Sequence, residues 1–81
     1  MQIQIGAEMR YVGNAHRFMR GQTVHVVAIH RGYFVDPDSA EIIKAGLVEV
    51  TAQDMVEVAP YVEGQPSWIA SDASIEDLEV I

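Results

Sequence analysis

The chain contains no cysteine among its 81 residues. Disulfide bonds and thiolate zinc sites are therefore excluded, and the fold must be held by packing and hydrogen bonding alone. A chain of this length buries about 60–65% of its unfolded surface, so we expect a thin core within a single domain spanning residues 1–81. Apolar residues make up 49% of the chain, which is typical of a folded domain rather than a disordered tail.

Long hydrophobic runs are also missing. Runs such as VVAI at 26–29 are far too short to cross a bilayer. The N-terminal segment MQIQIGAEMR has no basic leader followed by an apolar stretch, so it does not read as a signal peptide. These features predict a cytoplasmic protein with no membrane partner.

Basic residues are few and unevenly placed. The chain has five Lys and Arg against twelve Asp and Glu, a net charge of −7. Residues 1–35 carry four arginines against Glu8 alone, a net of +3, and residues 36–81 carry Lys44 against eleven acidic groups, a net of −10. This asymmetry indicates either two separate surfaces of opposite sign or two interleaved halves whose fields average out.

Most of the chain has the signature of short strands. Segment 23–29 (TVHVVAI) is the strongest, because it is rich in β-branched residues and largely apolar on both faces, which places it at the centre of a sheet. Alternation and turn residues predict further strands at 2–5, 9–12, 33–35, 47–50 and 67–71.

Residues 37–45 carry the signals of one short helix. Asp36 is a suitable N-cap, Pro37 suits the first helical position, and Gly46 falls where a left-handed C-terminal residue belongs. A helix here would turn Ile42 and Ile43 inward. The alternative is a loop followed by a strand at 41–44, since consecutive isoleucines also suit a strand.

A short pattern occurs twice, as TAQDMVEV at 51–58 and SIEDLEVI at 74–81. Thr51 with Asp54, and Ser74 with Asp77, have capping-box spacing, although the usual acidic partner is Glu or Gln. We expect each copy to form one helical turn that leads into a short strand.

The order of elements in 9–62 resembles an SH3-like small β-barrel, and VAPYV at 58–62 is similar to the proline and tyrosine near the end of SH3 domains. The resemblance implies a mainly β fold, a partly open barrel of five to seven short strands over 2–62, with 63–81 as a C-terminal extension. The acidic-aromatic motif and paired tryptophans of SH3 ligand sites are absent, so no polyproline groove is implied. An α+β fold is the alternative.

A second segment, SAEIIKAGLVEV at 39–50, is similar to parts of small phage-encoded structural and accessory proteins. This resemblance implies a small bacterial or phage accessory protein.

The three histidines do not have the spacing of a metal site. His25 and His30 are five residues apart, so in one regular strand they point to opposite faces, and His16 precedes the strand. No HExxH or EF-hand spacing is present. We therefore predict no metal and no cofactor.

Catalytic signatures are missing from the sequence too. No serine lies in a G-x-S-x-G setting, and no glycine-rich phosphate loop is present. The interpretation from sequence is that the protein is not an enzyme.

We instead predict a non-catalytic interaction module that binds an unidentified protein through loop 14–21 and through the aromatic residues of the protein, with the acidic segment 72–81 facing a basic partner. The alternative is an RNA- or single-stranded-DNA-binding barrel, in which arginines follow phosphates and aromatic rings stack on bases. The candidate binding residues are Arg17, Phe18, Arg20, Arg31, Tyr33, Tyr61 and Trp68.

Overall fold

The computed structural model of the chain describes residues 1–66 and 70–81. These residues form a mainly β structure of two antiparallel sheets, which confirms the predicted class. Its strands are β1 Gln2–Gln4, β2 Glu8–Tyr11, β3 Thr23–Arg31, β4 Glu41–Ile43, β5 Leu47–Glu49, β6 Met55–Val62, β7 Gln65–Pro66, β8 Ser71–Ala73 and β9 Leu78–Val80. Six of these nine strands lie within 2–62, where five to seven were expected.

Three single 3-10 turns complete the secondary structure of the described residues: Arg17–Met19, Pro37–Ser39 and Ile75–Asp77. In that part of the chain, no helix has the length and apolar character needed to cross a membrane.

The centre of the larger sheet is the antiparallel pair β3 and β6. One edge of β3 pairs with β6, and its other edge pairs with β2 at one end and β4 at the other. Valines from both strands and Ile29 from β3 meet on the inner face, where branching at Cβ suits the pleated surface. The prediction that 23–29 is a central strand is confirmed.

The larger sheet is strongly curved. β8 pairs with the far edge of β6, and β9 pairs with the far edge of β2, so the two outer strands follow each other in the chain. The path from β8 to β9 crosses four strand-to-strand steps, through β6, β3 and β2. If the sheet were flat, these four steps would place β8 and β9 about 19 Å apart. Their connection is Ser74 and one 3-10 turn, which rises only about 2 Å per residue. The sheet must therefore curl to bring its edges together, and residues 71–80 contribute two of its strands.

The core lies inside this curl and is closed by the small β1–β5 sheet. Buried side chains from both sheets and from the turn Arg17–Met19 form one cluster: Ile3, Met9, Tyr11, Met19, Val24, Val26, Ile29, Val48, Val50, Val56, Val58, Ala73 and Leu78.

The predicted helix at 37–45 is wrong, and the alternative of a loop followed by a strand is correct. Only Pro37–Ser39 forms a 3-10 turn, and the Asp36 carboxylate caps it by accepting the Asp38 N–H at 3.2 Å. The chain then enters β4, where Ile43 lies opposite Ile29 and packs against the core. Pairing with β3 gives the backbone of 41–43 its hydrogen-bond partners and packs Ile43 on the core, and this tertiary interaction overrides the local helix signals.

The inward orientation predicted for both isoleucines holds only for Ile43, because Ile42 is exposed on the other face of β4. The strand predicted at 33–35 is also wrong. Residues 32–35 form a turn in which the Val35 N–H donates to the Gly32 carbonyl at 3.0 Å. Gly32 has a φ of +75°, a conformation that favours glycine and ends the strand.

In both capping-box patterns the aspartate accepts the N–H three residues earlier, as predicted, but only Ile75–Asp77 forms the predicted helical turn, and residues 52–54 form a non-helical turn. Asp77 Oδ2 accepts the Ser74 N–H at 3.0 Å and its hydroxyl at 3.2 Å. Asp54 Oδ2 accepts the Thr51 N–H at 2.8 Å and its hydroxyl at 3.3 Å. Each turn leads directly into a strand, β9 in one case and β6 in the other.

Asp54 has a further role, since it is only 4% exposed. Its second oxygen, Oδ1, accepts the Gly32 N–H at 2.8 Å and so ties the end of β3 to the start of β6. Burial raises the pKa of this carboxyl, but hydrogen bonds from Thr51 and Gly32 and the charge of Arg31 outweigh that effect, and the pKa lies below its ordinary value. The ionised form is therefore part of the native structure.

Asp54→Asn should lower the free energy of unfolding at neutral pH by about 1–3 kcal/mol, because an amide nitrogen cannot accept the N–H groups that the carboxylate holds. The contribution of ionised Asp54 is complete above the unfolded pKa of about 3.9 and is lost as the pH falls through the lower folded pKa. Urea unfolding at a series of acidic pH values should thus show the two proteins converging. Exposed Asp38→Asn is the control, and a gap that stays constant into strong acid would contradict the assignment.

Candidate functional site

The β3–β6 ladder contains a bulge that changes the positions of the histidines. Val26 pairs with Val58 and Ala28 with Glu57, so Val27 is an extra residue without a partner. His25 lies opposite Ala59 and His30 opposite Met55, which are four residues apart on a regular strand. His25 and His30 therefore share the outer face of the sheet, and the predicted opposite orientation is wrong.

Each of these histidines has its own neighbours on the outer face. Tyr61 packs on the His25 ring at 5.5 Å and donates its hydroxyl to Glu8 at 3.0 Å. His30 Nε2 lies 3.0 Å from a Glu57 oxygen. Four strand residues separate the two groups by about 13 Å, which is too far for one metal ion to bind both. Among residues 1–66 and 70–81, no group of three or more potential ligands is arranged to hold a metal.

The arginines are spread over the described surface rather than gathered on it. Arg10 lies opposite Glu79 in the β2–β9 register, and Arg31 lies opposite Glu41 in the β3–β4 register, near opposite ends of β3. About 23 Å separates these two ends. Arg17 and Arg20 lie on the exposed loop around the first 3-10 turn.

A groove opens where four connections between strands meet, and we call it the end groove because residues at the ends of strands line it. Its cavity has a volume of about 370 Å³. The lining residues are apolar on some sides and acidic on others: Ala15, Phe34, Ala52, Asp72, Ala73, Ser74, Glu76 and Asp77. A cavity of this size is at the lower end of the range for specific binding pockets.

Phe34 is positioned by the turn that ends β3. Its N–H donates to the Gln53 carbonyl at 3.0 Å, and Asp54 holds the preceding Gly32. The Tyr33 ring meets the Phe34 ring edge to face at 5.5 Å and supports it from one side. Phe34 is nevertheless 49% exposed, so much of its surface faces solvent.

Loop 14–21 reaches the groove through Ala15 and His16. His16 Nε2 lies 2.9 Å from the Asp72 carbonyl and 3.2 Å from Asp72 Oδ1. Since both are acceptors, this nitrogen carries the hydrogen. The His16 ring also lies 6.1 Å from Phe18, which is 60% exposed beside it.

The wall behind the groove depends on Gly13. A Cβ at this position would lie 2.6 Å from Asp77 Oδ1 and 2.7 Å from the Tyr11 hydroxyl. Burial raises the pKa of Tyr11, and the charges of Asp77 and Asp72 add to this effect, so the hydroxyl stays neutral. Glycine alone allows β2 and the turn Ile75–Asp77 to approach this closely.

The predicted binding residues divide into two groups. Phe18 lies beside His16, which is hydrogen-bonded to Asp72 of the groove. Tyr33 supports Phe34, and Arg17 and Arg20 flank Phe18 on the loop. Tyr61 and Arg31 lie on the sheet, and Trp68, like most of the strand predicted at 67–71, lies outside the described residues.

Sequence reasoning missed the gathering of Phe34, Ala52 and residues 72–77 into one site. The only signal for it was the acidic character of segment 72–81, since the parts of the groove are far apart in the chain.

No protein-family model, curated protein or solved structure matches the chain. The fold and groove define its class, a small mainly β domain of two antiparallel sheets with one acidic and aromatic groove among the described residues. The SH3-like barrel stays a prediction.

Gly13→Ala should destabilise the protein by about 1–3 kcal/mol, because the added methyl group must displace Asp77 or the Tyr11 hydroxyl. Urea unfolding measures the loss, and amide shifts at residues 74–77 report the displacement. The neighbouring exposed Asn14→Ala should leave both unchanged. Wild-type stability in Gly13→Ala would contradict the close approach.

Proposed function

We propose that the protein is a non-catalytic interaction module that binds a protein partner in the end groove. The observation that carries this proposal is the groove itself, where exposed Phe34 and three alanines lie between acidic side chains. Its volume of about 370 Å³ suits side chains of a peptide segment rather than a whole folded surface.

The exposed aromatic side chains support this function. Phe18 is 60% exposed and Phe34 is 49% exposed. A chain this small has few large side chains with which to fill its core, yet these two rings remain at the surface. Aromatic residues at a concave site are the usual anchors of protein interfaces, because they bury a large area at small entropic cost.

The charge of the groove favours a protein partner over nucleic acid. Asp72, Glu76 and Asp77 line it, and no lysine or arginine is among the described lining residues. Phosphate groups would be repelled here, and the chain as a whole carries a net charge of −7.

Ser74 and His16, the two groups at the groove that could serve as nucleophile and base, form structural hydrogen bonds to carboxylates rather than to each other. The Ser74 hydroxyl donates to Asp77, and His16 Nε2 is directed at Asp72. Among the described residues Ser74 forms no hydrogen bond to a histidine, the partner that usually activates a serine nucleophile.

A random peptide library selected on the immobilised protein tests the proposal. Ala52 is exposed in the groove, so Ala52→Trp should fill the groove without disturbing the core. We expect selected peptides to bind the wild type at micromolar affinity and to lose about tenfold or more on Ala52→Trp.

Ala45→Trp is the matched control, because Ala45 is exposed but is not among the groove residues. It should leave peptide binding unchanged. Selection of no peptide, or of peptides that bind Ala52→Trp as tightly as the wild type, would overturn the proposal.

A further inference from the structure

We infer that the end groove receives an arginine side chain of the partner, an inference that rests on the proposed function. Three carboxylates and one aromatic ring line the same cavity, which is the combination that a guanidinium group satisfies.

The carboxylates differ in how far the fold already uses them. Asp77 Oδ2 accepts two hydrogen bonds from Ser74, and its Oδ1 lies against Gly13. Asp72 shares Oδ1 with His16, so its other oxygen remains to accept a ligand. Glu76 is exposed and accepts no hydrogen bond from another described residue. Glu76 and Asp72 are therefore the acceptors for the guanidinium, and Asp77 contributes its charge.

The contrast with Asp54 supports this assignment. Asp54 forms the equivalent capping turn, but both of its oxygens bind N–H groups in the interior. The corresponding turn at Ser74–Asp77 lies at the surface. The residue before Asp77 is Glu76, and its exposed carboxylate lines the groove. Neighbouring carboxylates in a concave site focus the negative potential and attract a cation.

Phe34 supplies the second half of the recognition. Tyr33 supports one side of its ring at an angle of 85°, and about half of Phe34 remains exposed. A guanidinium plane stacks on an aromatic face and can still direct its N–H groups sideways to carboxylates. A lysine ammonium is a point charge and cannot make both contacts equally well.

NMR titration of the whole protein with N-acetyl-arginine amide tests the inference, with N-acetyl-citrulline amide as a neutral ligand of nearly the same shape. Arginine amide at low salt should shift the amide signals of Phe34, Ala73 and Glu76, and citrulline amide should not. N-acetyl-lysine amide should bind more weakly than arginine amide.

Glu76→Gln, Asp72→Asn and Phe34→Ala should each weaken the arginine response by about three- to tenfold, because each removes one contact to the guanidinium. Glu41→Gln removes the same charge from β4 and should leave the response unchanged. All four positions are exposed, so these variants should fold.

The outcomes separate this inference from the proposed function. Equal responses to arginine and citrulline, no response to either, or tighter binding of lysine would overturn the arginine assignment. If peptides without arginine bind the wild-type protein but not the Ala52→Trp variant, the proposed interaction function holds and only the arginine assignment fails. If no peptide binds the groove, the proposed function itself fails.

Discussion

The antiparallel ladder between β3 and β6, with its bulge at Val27, is the constraint on which the rest of the structure depends. The inner residues of β3 are Val24, Val26 and Ile29, a pattern that changes parity between 26 and 29. In a regular strand, Ile29 would point outward and His30 into the core. The bulge absorbs the extra residue, keeps Ile29 inside and increases the twist that helps the sheet to curl.

The curl in turn creates the groove. Because the strands β8 and β9 lie at opposite edges of the sheet but are joined by one short turn, the carboxylates of that turn are brought beside the loop that follows β2 and the turn that follows β3. The same capping chemistry thus serves two purposes. Asp54 joins the end of β3 to the start of β6 in the interior, where its hydrogen bonds offset the cost of burying the charge. The Ser74–Asp77 turn lies at the surface, where it places carboxylates in the groove.

Local signals in the sequence were reliable where a single segment decides its own conformation. The β-branched run at 23–29 forms a central strand, and Asp54 and Asp77 accept the N–H groups that their spacing from Thr51 and Ser74 predicts. The errors lie where another segment decides. Residues 41–43 pair with the edge of β3 instead of forming the helix that the local signals predict. The bulge at Val27 decides which face of the sheet His30 occupies, and residue spacing alone does not reveal a bulge.

The sequence by itself determined that this chain is a small mainly β domain without disulfides, with an acidic C-terminal half and two aspartate-capped turns. Those properties follow from composition and from contacts between residues a few positions apart. Only the tertiary structure decided that Phe34, Ala15 and residues 72–77 share one groove. Residues that far apart in the chain meet through strand pairing and sheet curvature, and these depend on the burial of the whole core rather than on any local pattern.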